Sequence, residues 1–316
     1  MDRLKRLGWV VVFGAVFASV ACSSESPSID DKACVAGESK ACTGPAACSG
    51  YQVCKADGSA FDACQCGTGG TGGTAADGGA GQPGDGGPKS VCPAGLSGPA
   101  LMEVKAPNGK PYCVDATEVT FEQYDAFIAA KVGTAGQQGY CAPNTNLNYD
   151  TACMQKLSGK SPNAPAVCVD WCDADVYCKW AGKRLCGAIG GGASDYEVFD
   201  DPAVSQWFNA CSSGGKKKFA YGDTLISTCD PSPIPWGFDV LSRPECAGGF
   251  PGLHGMSSNV SEWEAACEPE PSGSRCVIRG FDARAACAEA HNVVPKTAHS
   301  PTVGFRCCHD GVGAGP

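Results

Sequence analysis

The chain has 316 residues, 23 cysteines, 43 glycines, a formal net charge of −9 and an isoelectric point near 4.9. That acidity excludes nucleic acid as a partner, because phosphate binding needs a concentrated basic face. The basic run Lys216-Lys-Lys218 sits in a Gly/Ser-flanked turn and reads as a solvated loop.

Residues 1–21 read as an export signal: Arg3, Lys5 and Arg6 precede an apolar stretch, Leu7 to Ala21, too short to span a bilayer as a helix. The stretch runs into Ser19-Val-Ala-Cys22, close to a lipobox except that Ser19 stands where leucine is usual, so Cys22 is read as the lipidated first residue of a bacterial lipoprotein. A plain secretory signal cleaved after Ala21 is the alternative. Ser23 is not the aspartate that favours inner-membrane retention, so an outer-membrane anchor in the cell envelope is expected.

Residues 22–33 form a polar tether, and residues 34–66 a small module with six cysteines and few large apolar side chains. Such a segment buries little core and needs disulfides to hold it. Residues 67–90 are Gly-rich with no aromatic and read as a disordered linker. The remainder, 91–310, is long enough for one sizeable core. Apart from Cys22 the cysteines divide into six in 34–66 and sixteen from Cys92 onward, even counts that argue for disulfides in an oxidising compartment. No Cys-x-x-Cys pair occurs and the four histidines are scattered, so structural zinc is not indicated.

In the last domain Thr120 and Gln123 have capping-box spacing, Val119 is placed to staple onto Tyr124, and Tyr124, Phe127 and Ile128 share a helix face. A second helix should start at Asp170, with Asp173 in its first turn, Trp171, Ala174, Cys178 and Ala181 along one side, and Gly182 ending it. Cys172 and Cys178 point in different directions on that helix and need separate partners. Of the three nearby acids, Asp170 reads as a cap, Asp173 as a dipole partner and Asp175 as solvated. Beyond these helices the domain is turn-rich, with little strand alternation.

Four segments occur in a telling order: Glu118-Val-Thr-Phe-Glu-Gln-Tyr-Asp-Ala-Phe127, Val169 to Leu185, Gly252-Leu-His-Gly-Met-Ser-Ser-Asn-Val-Ser-Glu-Trp263, and Gly304-Phe-Arg-Cys-Cys308. Together they resemble the formylglycine-generating enzyme family, the sulfatase-modifying factor domain, over about residues 91–308. The resemblance implies an α+β, modified C-type-lectin-like fold with little regular secondary structure. It also implies that Lys183 and Arg184 brace the fold, and that Arg306 forms a structural ion pair.

In that family the Gly252–Trp263 segment holds a structural calcium ion. Residue by residue, the carbonyl ligands fall on Ser258 and Val260 and the carboxylate on Glu262, while Gly255 stands where a side-chain ligand is usual. Calcium takes six to eight oxygens, so losing that ligand weakens the site. The other reading is that Asn259 and Glu262 hydrogen-bond a loop, with Trp263 in the core. Catalytic members carry Gly-Gly-Ser and then two cysteines, five residues apart, that bind copper(I). Here Gly280 is followed by Phe281 and Asp282, Cys287 stands alone, and its counterpart is Asn292. Copper is therefore not expected, and Cys287 is expected in a disulfide with Cys307 or Cys308, remaining a weak candidate for any catalytic role. His254, His291, His299 and His309 form no H-x₃-H pair, which argues against the mononuclear iron of other relatives.

The expected function is that of a lipid-anchored envelope protein with a binding or structural scaffold domain, showing loops to a peptide, glycan or neighbouring protein. The alternative is an oxidoreductase converting a substrate cysteine to formylglycine, as in sulfatase maturation, or acting through an altered site near Cys287. A third is calcium-dependent ligand binding.

Overall fold

A computed structural model describes residues 90–311 except 136, 158, 160, 231–236, 270–274, 281–285 and 289–291, together with 39–43, 49–53, 59–61 and 65–66. The export signal, Cys22, the tether, nearly all of the Gly-rich tract, Phe281, Asp282 and His291 lie outside the described residues. So do the pairings of the six cysteines between 34 and 66. In that module the backbone forms an antiparallel sheet of β1 (Ser39–Thr43), β2 (Ser49–Val53) and β3 (Gln65–Cys66), in the order β1-β2-β3.

The large domain opens with the hairpin β4 (Leu101–Lys105) and β5 (Pro111–Asp115). Helix α1 (Phe121–Ala129) starts in a reciprocal capping box: Gln123 N donates to Thr120 Oγ1, and Thr120 N to Gln123 Oε1. Val119, Tyr124 and Phe127 are buried as the pattern predicts. A short helix α2 (Thr151–Met154) is capped by Asp150. Helix α3 (Trp171–Trp180) begins in a second reciprocal box, with Asp173 N donating to Asp170 Oδ1 and Asp170 N to Asp173 Oδ2. Gly182, at φ +72, follows it in the left-handed conformation that glycine accepts cheaply. The structure corrects the solvated reading of Asp175: helix α3 is buried on nearly all sides, and the Asp175 side chain, only 11% exposed, is covered through its 2.6 Å pair with Lys179.

The chain continues through β6 (Arg184–Leu185), α4 (Gln206–Ser212), β7 (Ser261–Cys267), β8 (Arg275–Arg279), β9 (Asn292–Pro295), β10 (Val303–Phe305) and β11 (Cys307–His309). Two four-stranded sheets result, β4-β5-β11-β6 and β10-β7-β8-β9. The first is antiparallel throughout, while β10 runs parallel to β7 in the second. Strands β10 and β11 are separated by Arg306 alone, so the chain crosses from one sheet to the other at that residue. Aromatic rings from α1, α3 and β10 fill the space between: Tyr177 stacks on Tyr124 at 5.6 Å and meets Phe305 edge-on at 5.2 Å.

Eight disulfides staple the domain, taking up all sixteen cysteines from Cys92 to Cys308. Cys172 bonds Cys141, and Cys178 bonds Cys307. The two cysteines of helix α3 thus take separate partners, as their different directions require. The fold is α+β, disulfide-rich and poor in helix.

Candidate functional site

The crossing point between the sheets gathers the residues that the Gly252–Trp263 segment singled out. Glu262 lies in β7, in register with Gly304 of β10, which places its carboxylate beside Arg306. Arg306 Nε donates to Glu262 Oε2 at 2.8 Å and Nη2 to Oε1 at 2.7 Å; Trp207 Nε1 donates to Oε2 at 2.7 Å. Arg306 also donates to the carbonyls of Asp115 and His254. Both Arg306 and Glu262 are fully buried. This is the structural ion pair expected of Arg306, and the two-pronged geometry suits a planar guanidinium.

Asn259 holds a loop, as one reading of the segment expected: its Oδ1 accepts from Phe238 N at 2.8 Å, and its backbone is left-handed at φ +71. Trp263 is buried and donates from Nε1 to Val169 O. Ser258 and Val260 are buried just ahead of β7.

A second carboxylate, to which residue spacing assigned no role, joins this cluster. Glu118, one residue before Val119 in the turn leading to α1, is 1% exposed, with Oε2 3.8 Å from Arg306 Nη2. A β-carbon built on Gly255 would stand 2.5 Å and 2.6 Å from its two oxygens. The Glu118 carboxylate thus takes up the space that a side chain at 255 would need. The Asn259 side chain and the Glu118 backbone N–H donate to the Glu118 carboxylate, while the buried Ser258 Oγ has no hydrogen-bond partner. Burial pushes the Glu118 carboxyl up to about 7, opposed by Arg306 and reinforced by the charge of Glu262. The signal was in plain view as the first residue of Glu118-Val-Thr; what was missing was the fold that carries it to Gly255.

A parallel pair lies one step along β7, where Arg279 Nε is 2.6 Å from Glu264 Oε1, both fully buried. The guanidinium of Arg279 lies over the rings of Phe199 at 4.7 Å and Trp207 at 5.2 Å. Lys183 is buried against Asp115 at 2.6 Å and Arg184 pairs with Asp310 at 2.5 Å, so this basic pair ties α3 to the sheet.

Cys287 departs from its expected pairing. It bonds Cys211 at the end of α4, with Cα atoms 5.8 Å apart, rather than Cys307 or Cys308. The reason is the register of β11 against β6: Cys307 faces Leu185 and Cys308 faces Arg184, and adjacent strand residues point to opposite sides. Cys178 takes the first and Cys186 the second. Cys287 is instead drawn to α4, its N–H donating to Lys218 O at 2.8 Å. A copper site of two thiolates does not fit residues whose sulfurs are already joined in pairs. Asn292, the counterpart position, begins β9.

Of the clefts on the surface, one of about 350 Å³ is lined by Tyr140, Trp171, Lys179, Arg184, Glu268 and Lys296. The Tyr140 and Trp171 rings are 5.6 Å apart and Lys296 Nζ sits 3.4 Å from the Tyr140 centroid. Another, of about 540 Å³, is polar and includes Asn144, Asn146, Asn148, Asp170 and His299. Ligand atoms of Asp170, Asp173 and His299 lie within 4.8 Å of one another, a grouping that separation in the chain concealed. Burial, with Asp170 alongside, pushes the Asp173 carboxyl up to about 8. Among the described residues no helix is long and apolar enough to cross a membrane.

The two sheets, sparse helices and covalent staples around a buried Arg–Glu junction define an α+β domain of the sulfatase-modifying type. The chain belongs to the family described as the Sulfatase-modifying factor enzyme 1-like domain, whose pattern matches residues 99–311. Among solved structures, PvdO from Pseudomonas aeruginosa is similar at 19% identity and a TM-score of 0.43, covering 66% of this chain and 91% of that one. CarF is similar at 19% identity and a TM-score of 0.43, covering 68% and 96%. Treponema denticola variable protein 1 is similar at 15% identity and a TM-score of 0.39, covering 68% and 94%. No curated protein matches the chain.

Proposed function

We propose that this chain is an exported envelope protein, lipid-anchored at Cys22, whose sulfatase-modifying-factor domain serves as a binding or structural scaffold rather than as a copper oxidase. The observation that supports this reading best is the Cys211–Cys287 disulfide within a domain whose sixteen cysteines are all paired. Oxidation of a substrate cysteine through copper(I) needs two free thiolates side by side, and both sulfurs here are committed. The aromatic and charged cleft around Tyr140, Trp171 and Lys296 suits a peptide or glycan, offering ring faces for stacking and charges of both signs for orientation. Anchor, stapled module and Gly-rich tract would hold this domain away from the membrane.

The test is thiol counting on the full chain, denatured without reductant, combined with oxygen uptake on a Cys-x-Pro-x-Arg peptide in the presence of Cu(I). The expected result is no free thiol from Cys92 onward and no uptake above a peptide-free control. Two free thiols, copper binding and peptide-dependent oxygen consumption would establish the oxidase in place of the scaffold.

A further inference from the structure

We propose that the cleft around Tyr140 binds the end of a neutral saccharide chain, recognised by its ring faces and hydroxyls rather than by charge, an assignment that rests on the scaffold reading of the domain. The cleft lies at the Cys267–Cys276 end of the β7–β8 hairpin, the end away from Arg279 and Gly280. Its volume of about 350 Å³ stands at the low end of the about 300–1,000 Å³ typical of small-molecule sites.

Part of the lining is one stripe of α3. Trp171, Asp175 and Lys179 recur every four residues, so they line up along about 12 Å of one helix face. Tyr140 completes the aromatic side, and at 38% exposure it is the one exposed aromatic side chain among the described residues. Two buried groups hold its ring in place. Trp171, 5.6 Å away, is fixed through Nε1 donating to Glu264 O, and the Lys296 ammonium lies 3.4 Å from the Tyr140 centroid and 5.7 Å from that of Trp171. A large ring kept exposed in this way forgoes the stabilisation of burial and is available to a ligand.

Other ligand classes fit this lining less well. Its charges are matched: Lys179 with Asp175 at 2.6 Å, Arg184 with Asp310 at 2.5 Å and Glu268 with Arg275 at 2.5 Å. An ionic ligand would have to compete with these pairs, and an apolar one would strip them of water without replacing it. The backbone is engaged too. Ala265 N donates to Cys186 O, Ala265 O accepts from Ser194 N, and Gly192 O accepts from Ala188 N and Arg184 Nη1. These groups give an extended peptide no ladder to join. What remains is a ring surface beside paired polar groups, whose carboxylates keep lone pairs and whose cations keep donors. A pyranose meets both demands without charge: its C–H face packs on an aromatic ring, and its hydroxyls donate and accept.

The experiment uses the full chain with its disulfides intact. Chitotetraose, mannotetraose and maltotetraose are titrated by calorimetry, with galacturonate oligomers as the anionic probe and a random-sequence peptide library as the peptide probe. We expect saturable binding of at least one neutral sugar at one site per chain. Its affinity should hold within about twofold as salt is raised, because the ligand has no charge to screen. Tyr140→Ala should weaken binding about tenfold through lost stacking. Leu225→Ala, which removes an exposed apolar side chain that does not line the cleft, should leave it unchanged. Should Y140A not fold, K179A removes a 41% exposed side chain of the lining and should weaken binding about fivefold. Absence of saturable binding of all the neutral sugars overturns the proposal. So does sugar affinity in Y140A equal to that of the parent chain or, where Y140A does not fold, the same equality in K179A. Tighter binding of the galacturonate or peptide probes, lost in the same variants, overturns it as well. Thiol counting and oxygen uptake read the scaffold separately, so missing sugar binding in a chain whose domain cysteines are all paired refutes this assignment and leaves the scaffold standing.

Discussion

Replacing Arg306 by methionine tests the junction between the sheets most directly. The substitution keeps an unbranched apolar stem of similar reach and removes the guanidinium. Two charge-assisted bonds to Glu262 disappear, together with donors to the carbonyls of Asp115 and His254. Removing one partner of a buried pair costs about 3–5 kcal/mol, because the remaining charge stays buried and uncompensated. Each orphaned carbonyl adds about 1 kcal/mol or more. The expected destabilisation is then at least ~5 kcal/mol, on the scale of a whole domain's stability of about 5–15 kcal/mol. The assay is urea denaturation in EGTA with disulfides intact, followed by tryptophan fluorescence. A control separates charge from packing. In R306M/E262Q the uncompensated carboxylate is gone, while the amide oxygen that replaces it still accepts from Trp207, so about 2 kcal/mol or more should return. A cost for R306M below ~1 kcal/mol, or a double variant no more stable than the single one, would refute the reasoning.

Two further predictions concern the staples and the buried acids. The Cys178–Cys307 bridge closes a sequence separation of 129 residues. Chain entropy assigns such a loop about 5 kcal/mol, so C178A/C307A should show a correspondingly lower urea midpoint with its secondary structure retained below the transition; a shift worth under ~1 kcal/mol would contradict this. Glu118 and Glu264 are pushed up to about 7 and Asp173 to about 8, in each case chiefly by burial. A carboxyl with a raised folded pKa holds its proton more tightly in the native state, so its contribution is complete below the unfolded value and is lost as pH rises through the folded one. In EGTA the protein should therefore lose stability as pH rises from about 5 to 8, with the steepest loss as the solution passes through the raised folded values near 7 and 8. E118Q should flatten part of that slope, and unfolding free energies that stay level or rise with pH would sink the idea.

Much of the domain was legible because its signals are local. Both capping boxes followed from spacing alone, since N-cap and N3 residues meet whenever a helix starts between them, and Thr120/Gln123 and Asp170/Asp173 behave accordingly. The even cysteine count foretold complete pairing in the domain. Partners were another matter. Cys287 lay within reach of several cysteines along the chain, and only the register of β11 on β6 removed Cys307 and Cys308 from its options. Asp175 looked solvated because helix periodicity says nothing about what else covers a face.

Residue identity along the chain was enough to establish the family, the helix starts, the segments that bear Glu262 and Arg306, and the lack of a second copper cysteine. These depend on neighbours at short range, or on motifs in order. The folded arrangement settled which acid stands beside Gly255, which cysteine closes on Cys287, and how His299 comes to Asp170 and Asp173. Those juxtapositions arise where two sheets and a helix meet, and a one-dimensional string holds no record of distances across such a junction.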